Sequence, residues 1–293
     1  MMKKRLTIFT PTFNRKYILP KLYQSLCTQS CKDFVWLIVD DGSTDGTEQL
    51  VCSWMAESQI EIRYHYQENV GKTRAHNKGV ELCDTELFVC VDSDDYLSSP
   101  SVVQDNLDYW DKNITLAASS RTSGMVSYRK MLSGIQGRFP DNIQLATLSE
   151  LNNSGYRGET TLVFKTDVLK QNLFPVFDGE KYVTEAYLYD QLDEEYKLLV
   201  FPYYSQDCEY QPDGITRNGW DILFSNPKSY RMYYNQRIKL KKGSRQRNMR
   251  MYIACSLIAN DGRLFSASDY KLYLLLMFPL GLYQYYRLKH RKW

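Results

Sequence analysis

The chain has 293 residues, 43% of them hydrophobic, with a formal net charge of +3; this excludes a largely disordered polymer and allows one large core with an appendage. Seven cysteines, odd in number, scattered and without Cys-x2-Cys pairs, exclude a zinc-ribbon type of site and suit reduced core thiols. The charge is divided: residues 222–293 hold 15 Lys or Arg against 2 acidic residues, a balance of +13, which leaves 22 against 32, or −10, for residues 1–221.

At the N-terminus the basic start MMKKR is followed by only five residues, Leu6 to Thr10, before Pro11. That is too short for the apolar region of a signal peptide, so it reads as a first strand and the chain is expected in the cytoplasm. Leu6 to Thr10, Val35 to Val39, Ile60 to Tyr66 and Leu87 to Val91 are apolar runs rich in β-branched and aromatic residues, the pattern of strands. Between them Tyr17 to Gln29, Thr44 to Met55 and Lys72 to Leu82 read as helices. Strand and helix at this rhythm predict right-handed βαβ units, hence an α/β fold with a mostly parallel central sheet covered by helices on both faces. Ligands of such sheets bind beyond the carboxyl ends of the strands. Four polar loops should open there: Pro11-Thr12-Phe13-Asn14, Asp40-Asp41-Gly42-Ser43, Gln67-Glu68-Asn69-Val70-Gly71 and Asp92-Ser93-Asp94-Asp95.

From about residue 112 the pattern loosens, with a strand expected near Leu116 to Ser119, another near Thr160 to Phe164, and a helix near Glu185 to Tyr196. Frequent Gly, Pro and Asn there suit loop-built recognition. Between Ile222 and Asn260 there is no acidic residue, but there are nine basic ones. The last run, Leu272 to Tyr286, is interrupted by Pro279 and Gly281. It is shorter than the roughly 20 residues of a spanning helix, and an interfacial helix or hairpin is expected. Cations coupled to a Leu, Tyr, Phe and Trp run suit a membrane surface; a solvated helical subdomain is the other reading. Nucleic acid is not expected, because no base-reading motif lies between the charges.

The run LFVCVDSDDYL, residues 87–97, brings an apolar strand up to Asp92, Asp94 and Asp95. Clustered carboxylates raise one another's pKa unless something positive sits among them. A hard divalent cation is the obvious candidate, and one bridging phosphates would stabilise the charge on a nucleoside diphosphate leaving group. In DDGSTDGT, residues 40–47, Asp41 and Gly42 suit a tight turn and Ser43 or Thr44 a helix cap; the Asp41 carboxylate is also able to accept from an imide or a ribose hydroxyl.

Taken together, the Pro-Thr-Phe-Asn loop, the Asp-Asp-Gly-Ser-Thr-Asp loop, Gly71 with Arg74 and Asn77, and Asp92-Ser93-Asp94-Asp95 resemble the nucleotide-sugar domain of family 2 glycosyltransferases, which have the GT-A fold. The likeness is close over residues 5–100 and looser to about 220. It implies an inverting, metal-dependent transferase moving a sugar from a UDP donor to a glycan hydroxyl, in capsule, O-antigen or cell-wall polymer synthesis. The acceptor would be linked to a polyprenyl diphosphate at the inner face of a bacterial membrane. Residues 1–100 would be the nucleotide-sugar half, 101–221 the acceptor half and 222–293 a basic helical tail meeting the membrane. By the resemblance, Pro11, Thr12, Phe13 and Asn14 line the base and ribose pocket, Asp41 pairs with the uracil imide, and Gly71, Arg74 and Asn77 border the base or diphosphate. Asp92, Ser93 and Asp94 match the family's Asp-x-Asp motif. Asp92 would contact ribose, and Asp94, with Asp92 and Asp95, would bind Mn2+ or Mg2+.

An inverting transferase also needs a base for the acceptor hydroxyl. FDGEKYVTEAYLYDQL, residues 177–192, resembles the family's segment ending in an acidic pair, with Glu185 in place and Ala186 where a second acid is common. Glu185 is therefore the expected base, ahead of Glu180, Asp178 and Asp190. EYQPDGITRN, residues 209–218, resembles the family's mobile loop, with Gly214, Ile215 and Thr216 matching and Arg217 able to reach the diphosphate; a plain surface turn is the other reading. Competing classes fit less well. A dehalogenase-type phosphatase would carry its Asp-x-Asp after the first strand, and a dinucleotide oxidoreductase would carry Gly-x-Gly-x-x-Gly there. A nucleotidyltransferase, or a catalytically silent nucleotide-sugar-binding module, shares the sheet and remains an alternative, as does assembly into a homo-oligomer.

Overall fold

A computed structural model of the chain describes residues 3–131, 137–209, 211 and 219–290. The chain forms two compact units, one of residues 1–173 with 192–211, the other of residues 174–191 with 212–293.

The first unit begins with β1 (Leu6–Thr12), α1 (Leu19–Cys27), β2 (Phe34–Asp40), α2 (Thr47–Glu57), β3 (Ile62–Tyr66), α3 (Lys72–Leu82) and β4 (Leu87–Cys90). It continues through β5 (Asp95–Leu97), α4 (Val102–Lys112), α5 (Ile114–Ser119), β6 (Thr122–Met131), β7 (Leu145–Ala146), α6 (Leu148–Asn153), β8 (Glu159–Lys165) and α7 (Thr166–Gln171). After α8 (Glu185–Leu192) the chain returns to this unit as β9 (Lys197–Cys208).

These strands form one sheet in the order β3-β2-β1-β4-β8-β6-β9-β5, with β7 on β9. The first four are mutually parallel, as the βαβ rhythm requires. β1 has β2 on one side and β4 on the other, so the chain winds away from β1 in one direction and returns on its far side. The carboxyl ends of β1 and β4 therefore flank a switch point, where an open α/β sheet leaves a crevice. β8 runs antiparallel to β4, β6 antiparallel to β8, and β9 parallel to β6. β6 thus ends at the same edge as β4.

Alternation along β1 explains the two covered faces. Leu6 and Ile8 join a cluster with Leu19, Leu22 and Leu26 of α1 and Val51 and Trp54 of α2. Phe9, on the opposite face, stacks on Phe88 at 5.3 Å between ring centroids and meets α3. Gly79 of α3 is required there, since a Cβ would lie 2.3 Å from Phe9 Cε2.

Beyond β4 the structure departs from expectation in two places. Leu116 to Ser119 lies within the helix α5, and the strand begins after Arg121, whose φ of 47° turns the chain. α8 stops at Leu192 instead of Tyr196, because Asp193 turns to accept from the backbone N–H groups of Leu148 and Ser149 at 3.0 and 2.8 Å, capping α6. Strands from both sides of residue 100 share the sheet, since β4 pairs with β8 and β5 with β9.

The second unit contains α8, α9 (Gly219–Ser225), α10 (Pro227–Lys239), α11 (Arg245–Ala259) and α12 (Lys271–Lys289). Residues 174–191 thus group with the basic C-terminal segment. Pro279 and Gly281 do not break α12, which is one helix and not a hairpin. Gly281 serves close packing: a Cβ there would lie 2.5 Å from Ile253 Cβ of α11.

Candidate active site

Asp40 and Asp41, at the end of β2, organise the polar edge. Asp40 is fully buried and accepts from Ser43 N–H and from the Tyr64 hydroxyl, each at 2.7 Å. Asp41 accepts from Gln67 Nε2 at 2.7 Å, Val70 N–H at 3.0 Å and Gly71 N–H at 2.8 Å, so it ties the loop after β3 to the loop after β2. The loop geometry demands glycine at two points: Gly42 has φ 88° with Asn69 N within 2.8 Å of any Cβ, and Gly71 has φ 101°. Asn14, at φ 53°, locks the loops after β1 and β2 together, donating its N–H to Ser43 Oγ and accepting from Thr44 N–H, both at 2.8 Å. Pro11 and Thr12 are buried, and the Thr12 hydroxyl has no hydrogen-bond partner among the described residues; Phe13 is exposed. Arg74 and Asn77 are half-buried on α3. The expected nucleotide residues thus share the carboxyl edge of the parallel strands, and Asp41 is engaged with the β3–α3 loop.

The acidic loop after β4 is answered by cations within the fold. Lys72 Nζ, on the first residue of α3, lies 2.9 Å from Asp92 Oδ1. Arg129 Nη2, near the end of β6, lies 3.6 Å from Asp92 Oδ2 and makes an ion pair with Asp95. Burial pushes the Asp92 carboxyl up, but Lys72 and Arg129 outweigh it and hold it below the ordinary carboxylate value. Asp94 behaves oppositely: burial first, then the charge of Asp92, raise its pKa. Asp95 lies in β5, paired with Cys208 of β9, and is 1% exposed. Its ion-pair partner is Arg129 of β6. Ser93 is buried between the two motif carboxylates.

Among the described residues no group of three or more His, Cys, Asp or Glu is placed to hold a metal ion. Asp94, and Asp92 within its ion pair to Lys72, carry hard oxygen donors of the kind that Mn2+ or Mg2+ would take. A cation held there would need further oxygen ligands from beyond these two side chains.

In the second unit, Glu185 is half-buried in the first turn of α8, where the helix dipole favours a carboxylate. Three other acidic residues stand near it in the sequence. Glu180 is buried and accepts from Lys228 N–H at 2.7 Å and Ser229 N–H at 2.8 Å, capping α10. Asp190 lies 3.5 Å from Arg237 Nη1, and Asp178 is exposed. Asn226 Oδ1 accepts from the N–H groups of Lys181 and Tyr182 at 2.8 and 2.9 Å, and Gln236 Nε2 donates to Tyr187 O at 2.8 Å. These bonds fasten the Glu185 segment to α10. Arg217, Gly214, Ile215 and Thr216 lie outside the described residues.

Sequence reasoning missed Lys72 and Arg129. Lys72 had a visible signal, a cation opening the helix after a Gly that ends the third loop. Arg129 had none, because its place depends on the antiparallel turns of β8 and β6.

A family model described as Glycosyl transferase family 2 matches residues 7–173. The chain is 24% identical over 239 residues to the GalNAc(5)-diNAcBac-PP-undecaprenol beta-1,3-glucosyltransferase of Campylobacter jejuni, covering 78% of this chain and 71% of that protein. It is 31% identical over 102 residues to the glycosyltransferase GlyA of Streptococcus pneumoniae, covering 35% of this chain and 14% of that protein. A third relative, the teichoic acid poly(glycerol phosphate) polymerase of Staphylococcus epidermidis, is 24% identical over 239 residues, 76% of this chain and 31% of that protein. The chain therefore spans less than a third of these last two. Among solved structures, S. aureus TarS in complex with UDP-GlcNAc superposes with a TM-score of 0.64 at 15% identity, covering 97% of this chain and 90% of that one. The mannosyltransferase PcManGT of Pyrobaculum calidifontis, in complex with GDP-Man and Mn2+, gives 0.55 at 13% identity, covering 100% and 77%. At such identities the likeness is one of fold, and the fold is GT-A.

Proposed function

The chain belongs to glycosyl transferase family 2, and from that premise we propose that it transfers a sugar from a UDP-sugar to a glycan hydroxyl with inversion at the anomeric carbon. The observation that carries this reading is the acidic loop at the switch point of a parallel sheet, with Asp92 ion-paired to Lys72 and Asp94 beside it, its carboxyl raised by burial and by the charge of Asp92. Pro11, Thr12 and exposed Phe13 would border the base and ribose, Asn14 would keep that wall in place, and Asp41 would hold Gly71 and the start of α3 against the donor. Asp94, with Asp92, would hold Mn2+ or Mg2+. When bound, the cation supplies positive charge to the departing diphosphate. Glu185 would take the acceptor proton as the hydroxyl oxygen attacks the anomeric carbon and the bond to UDP breaks.

The acceptor is proposed to be a glycan linked to a polyprenyl diphosphate in bacterial cell-surface polysaccharide synthesis, in capsule, O-antigen or a related cell-wall polymer. The name of the C. jejuni relative, alike over 78% of this chain, supports that choice. A lipid-linked acceptor places the enzyme at the inner face of the plasma membrane as a peripheral protein.

UDP release from UDP-sugars tests the reading. Wild-type release should be abolished by EDTA and restored by Mn2+. Asp94→Ala should lose turnover through the metal site, and Glu185→Gln should fall by about a hundredfold or more, the scale of a general base. Equal, EDTA-insensitive release from all three proteins would overturn the mechanism.

A further inference from the structure

Helix α12 has two apolar sides and only one of them is covered. Leu274, Met277, Gly281 and Leu288 are buried, with Leu274 and Met277 in a cluster with Tyr252 and Ile253 of α11. On the other side Leu272, Leu275, Leu276, Leu280, Tyr283 and Tyr286 are exposed. At about 100° per residue these six, with Pro279, fall in one arc of the helix. Leu272 and Leu276 are 84% and 75% exposed, so the arc is open and not merely grazed by solvent. Single exposed leucines are ordinary on protein surfaces; a continuous row of this length is a docking face.

We propose that this face is a lipid-docking surface, on which α12 lies flat in the interface of a membrane bearing anionic headgroups. The charges around the stripe select that occupant. Lys271 stands at one end of the helix and Arg287 and Lys289 at the other, and the sequence from 270 to 293 contains no acidic residue. Arg245 of α11 adds a cation at the first end, 4.5 Å above the Tyr273 ring. Pairing the stripes of two copies would bring cation to cation in either helix direction, with exposed Asp269, two residues before Lys271, too few a charge to balance them. Anionic headgroups meet the same cations favourably while acyl chains take the leucines. Tyr283 and Tyr286 suit the boundary, with an apolar ring and a hydroxyl that stays wet. No helix of the described residues is long and apolar enough to cross a membrane, and a flat orientation needs none. The surface rests on and deepens the peripheral-attachment reading above, but it stands on α12 and does not need the reaction.

Vesicle co-sedimentation of the full chain tests it, with phosphatidylglycerol–phosphatidylcholine vesicles against pure phosphatidylcholine. Wild type should sediment with the anionic vesicles, less so as salt rises. Leu272→Glu with Leu276→Glu should lower partitioning by at least about tenfold, with an unchanged circular dichroism spectrum, because both positions face solvent. Arg287→Gln with Lys289→Gln should weaken binding and flatten its salt dependence. Absence of wild-type binding, indifference to lipid charge, or unchanged binding of the leucine variant would each overturn the proposal. So would a wild-type dimer that the leucine variant dissolves, since the stripe would then belong to a second copy. UDP release is read on the same proteins with a water-soluble acceptor: if it is absent while vesicle binding follows these expectations, the reaction fails and the docking surface stands.

Discussion

Replacing Arg129 with Met would leave the Asp95 carboxylate, 1% exposed, buried without its cation. The expected loss of stability is about 3–5 kcal/mol, the usual consequence of breaking a buried pair from one side. Adding Asp95→Asn should recover part of it by removing the orphaned charge, and denaturant unfolding of the single and double variants checks this. An Arg129→Met protein as stable as wild type would mean that the pair is a surface contact. At this scale the sequence exposes the acidic residues and their repulsion, since three carboxylates in four positions need no fold to be seen. It hides the counter-charges. Lys72 and Arg129 lie 20 and 37 positions along the chain from Asp92, and only the strand order brings them to it. The structure therefore pairs Asp92 and Asp95 with cations, whereas burial and the charge of Asp92 raise the Asp94 carboxyl.

Between elements, the second unit is held by Arg231 of α10, which donates to both oxygens of Asp261, just past α11, at 2.6 and 2.8 Å. The guanidinium lowers the Asp261 pKa from 3.8 to about 2, so the folded unit binds fewer protons than the unfolded chain across that interval. The resulting stabilisation, on the order of 1 kcal/mol once solvent screening is taken into account, is complete above the ordinary carboxylate value and is lost as pH falls through the folded value. Asp261→Asn should thus lower the unfolding free energy at neutral pH, and its deficit against wild type should shrink as the pH drops below 3.8. A deficit independent of pH would show that charge is not the cause. Elements with strong local patterns were legible: β1, β2, β4 and α3 lie close to where apolar runs and helical spacing place them. α5 and the end of α8 were not, because Arg121 and Asp193 set those boundaries through a backbone turn and a cap on a distant helix. Gly281 reads as a breaker in sequence and acts as a point of contact in the fold.

For the whole molecule, ligand binding should be visible as stability. A UDP-sugar with Mn2+ at a hundred times its dissociation constant should add about 2.7 kcal/mol to the unfolding free energy, and Asp94→Asn should remove the increment that depends on Mn2+. A thermal shift equal in both proteins would place the metal elsewhere. The parallel direction of the first four strands, and with it the edge where a nucleotide would sit, could be read from the βαβ rhythm, whereas their order and the division into two units could not. That division rests on Glu180, Asn226 and Gln236, whose bonds join residues 180–187 to α10 across some 40 intervening positions. The C-terminal helices are consequently not a detachable accessory. Cutting the chain before α9 would strip the Glu185 segment of the helix that caps and clamps it, and cutting before α12 would uncover Tyr252 and Ile253. Shortened versions would thus confuse loss of folding with loss of attachment, and a better-behaved protein for crystallisation is better sought by making the outer leucines of α12 polar than by removing the helix that carries them.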